Sequence, residues 1–215
     1  MIRWVLIILC AILALQCAAQ KGIPYDQYKA EDKIVHYYAD FNTDNDTLWM
    51  DVPYEGGHSR IINGNFLYNV KKGELLAQGF QPQVDENRDF EVEFAAQIVG
   101  ENRRNTHGIL FWGRADTFKS FYWYFWTNQN TIFQCENKTD CPDRLWKAKR
   151  TKREGFNKYT LRKISDSMYA YVNEVQLGSF AFQPFFGRNF GIGAGAKKKG
   201  GAVKYDYIRI SYLKQ

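Results

Sequence analysis

The sequence predicts a single all-β domain of antiparallel strands, and three observations predict it. From Lys33 onward, short runs rich in Val, Ile, Phe, Tyr and Thr alternate with turn signals, the pattern of a sandwich or barrel. The clearest run, Phe90–Ile98, alternates between Phe90, Val92, Phe94 and Ala96 on one face and Glu91, Glu93, Ala95 and Gln97 on the other, as a half-buried strand does. No stretch of ten or more residues carries an amphipathic helical repeat, and the one helical turn on offer is short, near Pro142–Lys147.

The elements follow in order. Residues 1–19 read as a cleaved secretory signal: Arg3, an apolar run from Trp4 to Leu15, then Cys17, Ala18 and Ala19 before the polar Gln20. The run is too short for a membrane-spanning helix, which needs about 20 apolar residues. Lipid attachment at Cys17 is the rival, although Gln16 stands where that motif wants a small residue. Residues 20–32 read as an N-terminal tether and 33–215 as the sandwich domain. Ile34–Tyr38 is the first strand, and Asn63-Gly64 is a turn signal inside Ile61–Tyr68. Leu75–Ala77, Gly108–Trp112 and Ser120–Trp126 come next. Lys158–Ile164 and Met168–Val172 flank the turn Ser165-Asp166-Ser167, then Val175–Phe182, Phe190–Ala194 and Val203–Leu213 close the chain.

Loss of Arg3 with the leader lowers the formal net charge from +6 to +5, mildly basic. Two cysteines remain, Cys135 and Cys141, and export makes a short-loop disulfide their expected state, worth about 2–3 kcal/mol at most. The basic runs Lys147–Arg153 and Lys197–Lys199 read as solvated loops or as attractors of acidic polysaccharide or a membrane surface. Nucleic acid is an unexpected partner for an exported chain whose basic runs lack interleaved aromatics. Asn45-Asp46-Thr47 and Asn137-Lys138-Thr139 are glycosylation acceptor patterns.

The most unusual stretch is Phe121-Tyr122-Trp123-Tyr124-Phe125-Trp126, aromatic on both faces of a strand. One row, Phe121, Trp123 and Phe125, is expected in the core. The other, Tyr122, Tyr124 and Trp126, either packs under loops or lines an outer face where flat rings stack on sugar C–H surfaces. Trp112, Arg114, Asn128, Trp146 and His107 are the candidate partners around such a sugar. His36 and His58 stand apart from that patch, and no zinc spacing, phosphate loop or dinucleotide fingerprint is present.

The order of the pieces resembles the concanavalin A-like, or laminin-G-like, jelly-roll domains of exported bacterial proteins. Asp40-Phe41-Asn42 with Trp49 resembles that family's opening, and Ile62–Phe66, Phe90–Phe94 and His107–Trp112 resemble its middle strands. Tyr159–Lys163, Tyr169–Asn173, Phe190–Gly193 and Tyr205–Ile210 resemble the later ones, with Glu174 where glycine is usual. The resemblance implies an antiparallel two-sheet jelly-roll β-sandwich and leaves function open. It implies no cofactor apart from calcium, for which Asp40, Asp44, Asp46 and Asp206 are candidates without a defining spacing. Laminarinase-type hydrolases of this fold carry an E-x-D-x-E strand. Here Glu91 and Glu93 share a face but Ala95 replaces the third acid, and a solvent-facing charged stripe explains the pair equally. Exported 3-keto-disaccharide hydrolases of the same fold carry an arginine directly after the strand's phenylalanine. Trp112 takes that place after Phe111, with Arg114 two residues on. The expectation is an exported carbohydrate- or surface-glycan-binding domain without catalysis. A glycoside or 3-keto-disaccharide hydrolase and a structural or protein-interaction module of the envelope are the alternatives.

Overall fold

Fifteen strands and three single-turn 3-10 helices make up the described part of the computed structural model, which covers residues 22–42, 49, 52–114, 119–128, 130–135, 144–183 and 189–214. Of Arg114, Lys119, Ser120 and Cys135 only the backbone is described. The expected leader, Cys141, Asp44, Asp46 and both glycosylation patterns lie outside these residues, and with them the test of the Cys135–Cys141 pairing.

The strands are β1 (Lys33–Ala39), β2 (Val52–Tyr54), β3 (Gly57–Ile62), β4 (Asn65–Val70), β5 (Leu75–Phe80), β6 (Phe90–Val99), β7 (Thr106–Arg114) and β8 (Lys119–Phe125). They continue as β9 (Asn130–Cys135), β10 (Arg144–Lys147), β11 (Asn157–Ile164), β12 (Ser167–Val172), β13 (Val175–Ala181), β14 (Asn189–Ala196) and β15 (Gly201–Leu213). Two antiparallel sheets result. One runs β13-β12-β11-β6-β15-β4-β3-β2. The thirteen-residue β15 shares one edge between β4 at its start and β1 at its end, which gives that sheet nine strands. The other runs β10-β9-β8-β7-β14-β5. This is the expected jelly-roll β-sandwich.

Local chemistry explains the hairpins. Asn63 and Gly64 carry positive φ of 50° and 68°, the backbone a tight β3–β4 turn needs and Asn-Gly supplies cheaply. Arg144–Lys147, expected as a helical turn, is instead an edge strand paired to β9, because Leu145 and Trp146 satisfy their backbone across Ile132 and Thr131.

The space between the sheets is filled with rings. Phe66, Phe90, Phe94, Trp112, Phe121 and Trp123 are fully buried there, each such side chain contributing about 1.5–3 kcal/mol. Two tyrosines cross the core from the nine-stranded sheet. Tyr68 Oη donates to the Ile192 carbonyl at 2.9 Å, and Tyr205 Oη accepts from the Ile109 N–H at 3.1 Å. These bonds brace β14 and β7 from beneath, so the outer face of the six-stranded sheet rests on a fixed floor.

Residues 22–32 are not a free tether. Ile23, Tyr25 and Tyr28 lie across the outer face of the nine-stranded sheet, where Tyr171 Oη donates to the Ile23 carbonyl at 2.8 Å. The segment covers charges that would otherwise be solvated, a role that only the tertiary structure assigns.

Candidate functional site

Strand β8 presents its second aromatic row on the outer face of the six-stranded sheet. Phe121, Trp123 and Phe125 point inward and are buried, while Tyr122, Tyr124 and Trp126 are half-buried on the other side. Outward residues two apart on a strand are separated by about 6.5 Å, so their rings form a row. The Tyr122 and Tyr124 rings stack with centroids 5.7 Å apart at 23°, and Trp126 follows Tyr124 at 6.1 Å and 31°.

His107, from neighbouring β7, completes the row at one end, its ring 5.5 Å from Tyr124 and 5.3 Å from Trp126. It is 7% exposed, and its Nδ1 has no hydrogen-bond partner. Burial, with the charge of Lys197 adding to it, lowers its pKa to about 4, so the imidazole is neutral at neutral pH.

The other side of the face is built from β14. A Cβ at Gly191 would meet Phe111 Cε1 at 2.1 Å, and one at Gly195 would meet His107 Nε2 at 2.4 Å. Both glycines therefore let a ring from β7 lie flat across β14. The sequence signal is Gly191-Ile192-Gly193-Ala194-Gly195, which places glycine at three successive outward positions of the strand. Sequence reasoning passed over this ladder and left Phe111 off the list of candidates.

The structure brings together Tyr122, Tyr124, Trp126 and His107, and separates the rest. Trp112 is fully buried between the sheets, 4.3 Å from the Phe190 ring and 5.0 Å from Phe90, which corrects its placement on the outer face. Trp146 also turns inward, against Phe133 at 4.7 Å and over Gly178, where a Cβ would meet its ring at 2.5 Å. Asn128 is exposed beyond Trp126, and its Oδ1 accepts from the Asn130 N–H at 3.1 Å, closing the β8–β9 turn. The Arg114 side chain lies outside the described residues.

Glu91 and Glu93 lie on the opposite sheet and form no solvent-facing stripe. Glu91 is 1% exposed, with Arg162 Nη2 at 2.7 Å on one oxygen and Lys33 Nζ at 2.6 Å on the other. Glu93 accepts from Tyr25 Oη at 2.6 Å, Tyr207 Oη at 2.8 Å and Arg209 Nη2 at 2.6 Å. Burial alone would raise the Glu93 pKa. The Tyr25 hydrogen bond, the Arg209 charge, the Tyr207 hydrogen bond and Lys158 outweigh it and hold the carboxyl below its usual range. A β-bulge between Tyr205 and Tyr207 creates this arrangement, turning Tyr205 into the core while Tyr207 and Arg209 reach Glu93. Two carboxylates saturated in this way beneath residues 22–32 offer neither a free nucleophile nor an accessible acid.

On the six-stranded sheet, the alternate outward positions of β7, β8 and β14 hold His107, Ile109, Phe111, Ser120, Tyr122, Tyr124, Asn189 and glycines. No carboxylate is among them. Among the described residues no group of three or more His, Cys, Asp or Glu side chains is placed to hold a metal, and no helix is long and apolar enough to cross a membrane. Asp40, one calcium candidate, accepts from the Asn42 N–H at 3.1 Å within its own loop.

No protein-family model matches the chain, and no curated protein matches it in sequence. Solved structures do share its fold. A Bacillus licheniformis β-glucanase superposes with a TM-score of 0.59 at 11% identity, over 87% of this chain and 100% of the other. The endo-β-1,3-glucanase of Pyrococcus furiosus gives 0.63 at 11% identity, over 85% and 96%. A non-specific endo-β-1,3(4)-glucanase from family GH16 gives 0.63 at 14% identity, over 87% and 93%. At these identities the likeness establishes the concanavalin A-like jelly roll, and nothing finer.

Proposed function

We propose that the protein is an exported glycan-binding domain without hydrolase activity, and that it holds its ligand on the outer face of the six-stranded sheet. The observation that carries this reading is the row Tyr122, Tyr124 and Trp126, half-exposed, evenly spaced and closed at one end by His107. A row of half-exposed rings offers flat apolar surface, with polar tips, to the C–H faces of successive sugars. The fold neighbours, named as β-glucanases, support a polysaccharide by analogy alone.

Against hydrolysis stands the acid pair itself. A glycosidase needs two carboxyl groups flanking one scissile bond, about 5–10 Å apart. Glu91 and Glu93 are on the other sheet and bound to Arg162, Lys33, Arg209 and two tyrosines. The leader over residues 1–19 supports export, which N-terminal sequencing of the released protein would check by finding Gln20 first.

The test is retention on a polysaccharide array together with an assay for released reducing sugar. Retention without release is expected. Truncating a central aromatic contact costs about 2 kcal/mol, so Trp126→Ala should weaken binding about thirtyfold. Absence of binding to every polysaccharide on the array, or release of sugar by the wild type, refutes the reading.

A further inference from the structure

Three basic segments far apart in sequence meet at one end of the ring row. Arg103 and Arg104 precede β7, Lys152 and Arg153 lie between β10 and β11, and Lys197 follows β14. Packing joins them. Arg103 Nη1 donates to the Arg153 carbonyl at 3.4 Å, Thr127 Oγ1 donates to the Arg103 carbonyl at 3.4 Å, and the Lys197 N–H donates to the Asn105 carbonyl at 3.0 Å. Thr127 and Asn128, the residues directly after Trp126, line an open cleft with Arg103, Arg104, Arg153 and Glu101. Trp126 shares a second, smaller cavity with Lys152 and Arg153.

Few acids balance this charge. Glu154 lies 3.7 Å from Arg103, on the surface, and Glu101 stands in the cleft. Arg104, Lys152, Arg153 and Lys197 have no carboxylate within ion-pair distance among the described residues. At the junction of cleft and ring row sits His107, buried, with its Nδ1 unpaired. A stacking surface accepts any sugar with an apolar face. A cluster of unpaired cations at its end selects among them.

We infer that the ligand is an acidic polysaccharide, whose carboxylate or sulfate groups lie over Arg104, Arg153 and Lys197 while its sugar rings stack on Tyr124 and Trp126. The inference rests on the ring row being a glycan site and adds the ligand's charge. An anionic membrane is the less favoured partner, because the described lining of the cleft is wholly polar or charged, with Glu101 among its Asn, Thr and Arg side chains.

The test is calorimetric titration of the wild type, Trp126→Ala and the double variant Arg104→Glu with Lys197→Glu. The probes are laminarin (neutral), polygalacturonate (carboxylated) and dextran sulfate (sulfated), each at low and raised salt. The wild type should bind at least one acidic probe more tightly than laminarin, with affinity falling as salt rises. The double reversal should lose about tenfold on that probe and nothing on laminarin. Comparing polygalacturonate with dextran sulfate identifies the anionic group. The inference is overturned by equal affinity for neutral and acidic probes, by indifference to the charge reversal, or by tighter binding to phosphatidylglycerol vesicles than to either acidic probe. If Trp126→Ala binds every probe as the wild type does, it is the ring row that fails. Losses confined to Trp126→Ala leave the ring row standing and remove only the acidic ligand.

Discussion

His107 makes the stability of the domain depend on pH in a direction and amount that can be worked out. Its pKa falls from the ordinary 6.5 to about 4 because the ring is buried between Tyr124 and Trp126, with Lys197 adding to the effect. A depressed histidine pKa means that the unfolded chain binds the proton more readily than the folded one between those two values. Stability is therefore fully present above pH 6.5 and is lost as pH falls toward 4. The loss from this group is about 2 kcal/mol by pH 5 and about 3 kcal/mol by pH 4. Urea unfolding from pH 4 to 8 measures it, with His107→Phe as the reference that removes the titration and leaves other acid-sensitive groups in place. The difference in pH dependence between the two proteins should reproduce that curve. Parallel curves would refute the burial of a neutral imidazole in the row.

Three further outcomes follow from the same geometry. Glu91→Gln removes the counter-charge of a fully buried Arg162 and should cost about 3–5 kcal/mol, whereas Glu91→Leu with Arg162→Met should be far milder, both read by denaturant midpoint. Trp112→Ala empties a core site and should destabilise by about 3–5 kcal/mol in the same assay, while Trp126→Ala, at a half-buried site, should cost clearly less. Gly191→Ala drives a methyl into Phe111 and toward the Gln78 carbonyl, so a loss of about 1–3 kcal/mol and a shift of the Phe111 ring resonances are expected.

Much of the fold was legible because strand periodicity is local. The Phe90–Ile98 alternation, the Asn63-Gly64 turn and the double aromatic row of β8 each report their own structure without reference to distant residues. What failed depends on partners. Whether Trp112 or Phe111 faces the core is a matter of phase, fixed only when β7 is docked between β8 and β14. The bulge after Tyr205 resets the alternation of β15, which a strict period of two assigns wrongly from there on. Glu91 and Glu93 read as a solvated stripe because their partners Lys33, Arg162, Arg209 and Tyr25 come from four separate segments. The glycine ladder of β14 was visible in the sequence. Its purpose was not, since that requires knowing that Phe111 and His107 lie across it.

The most direct test of the glycan face is the response of the tryptophan indole N–H resonances to a polysaccharide that the protein retains. Five of the six tryptophans follow the expected leader, which holds Trp4, and their environments differ sharply: Trp49, Trp112 and Trp123 are buried in the core, Trp146 packs inward at its edge, and Trp126 stands half-exposed in the ring row. Titration should move the Trp126 resonance progressively and leave those of Trp112 and Trp123 in place. Saturable binding that leaves Trp126 unmoved would contradict the placement of the ligand on the outer face of the six-stranded sheet.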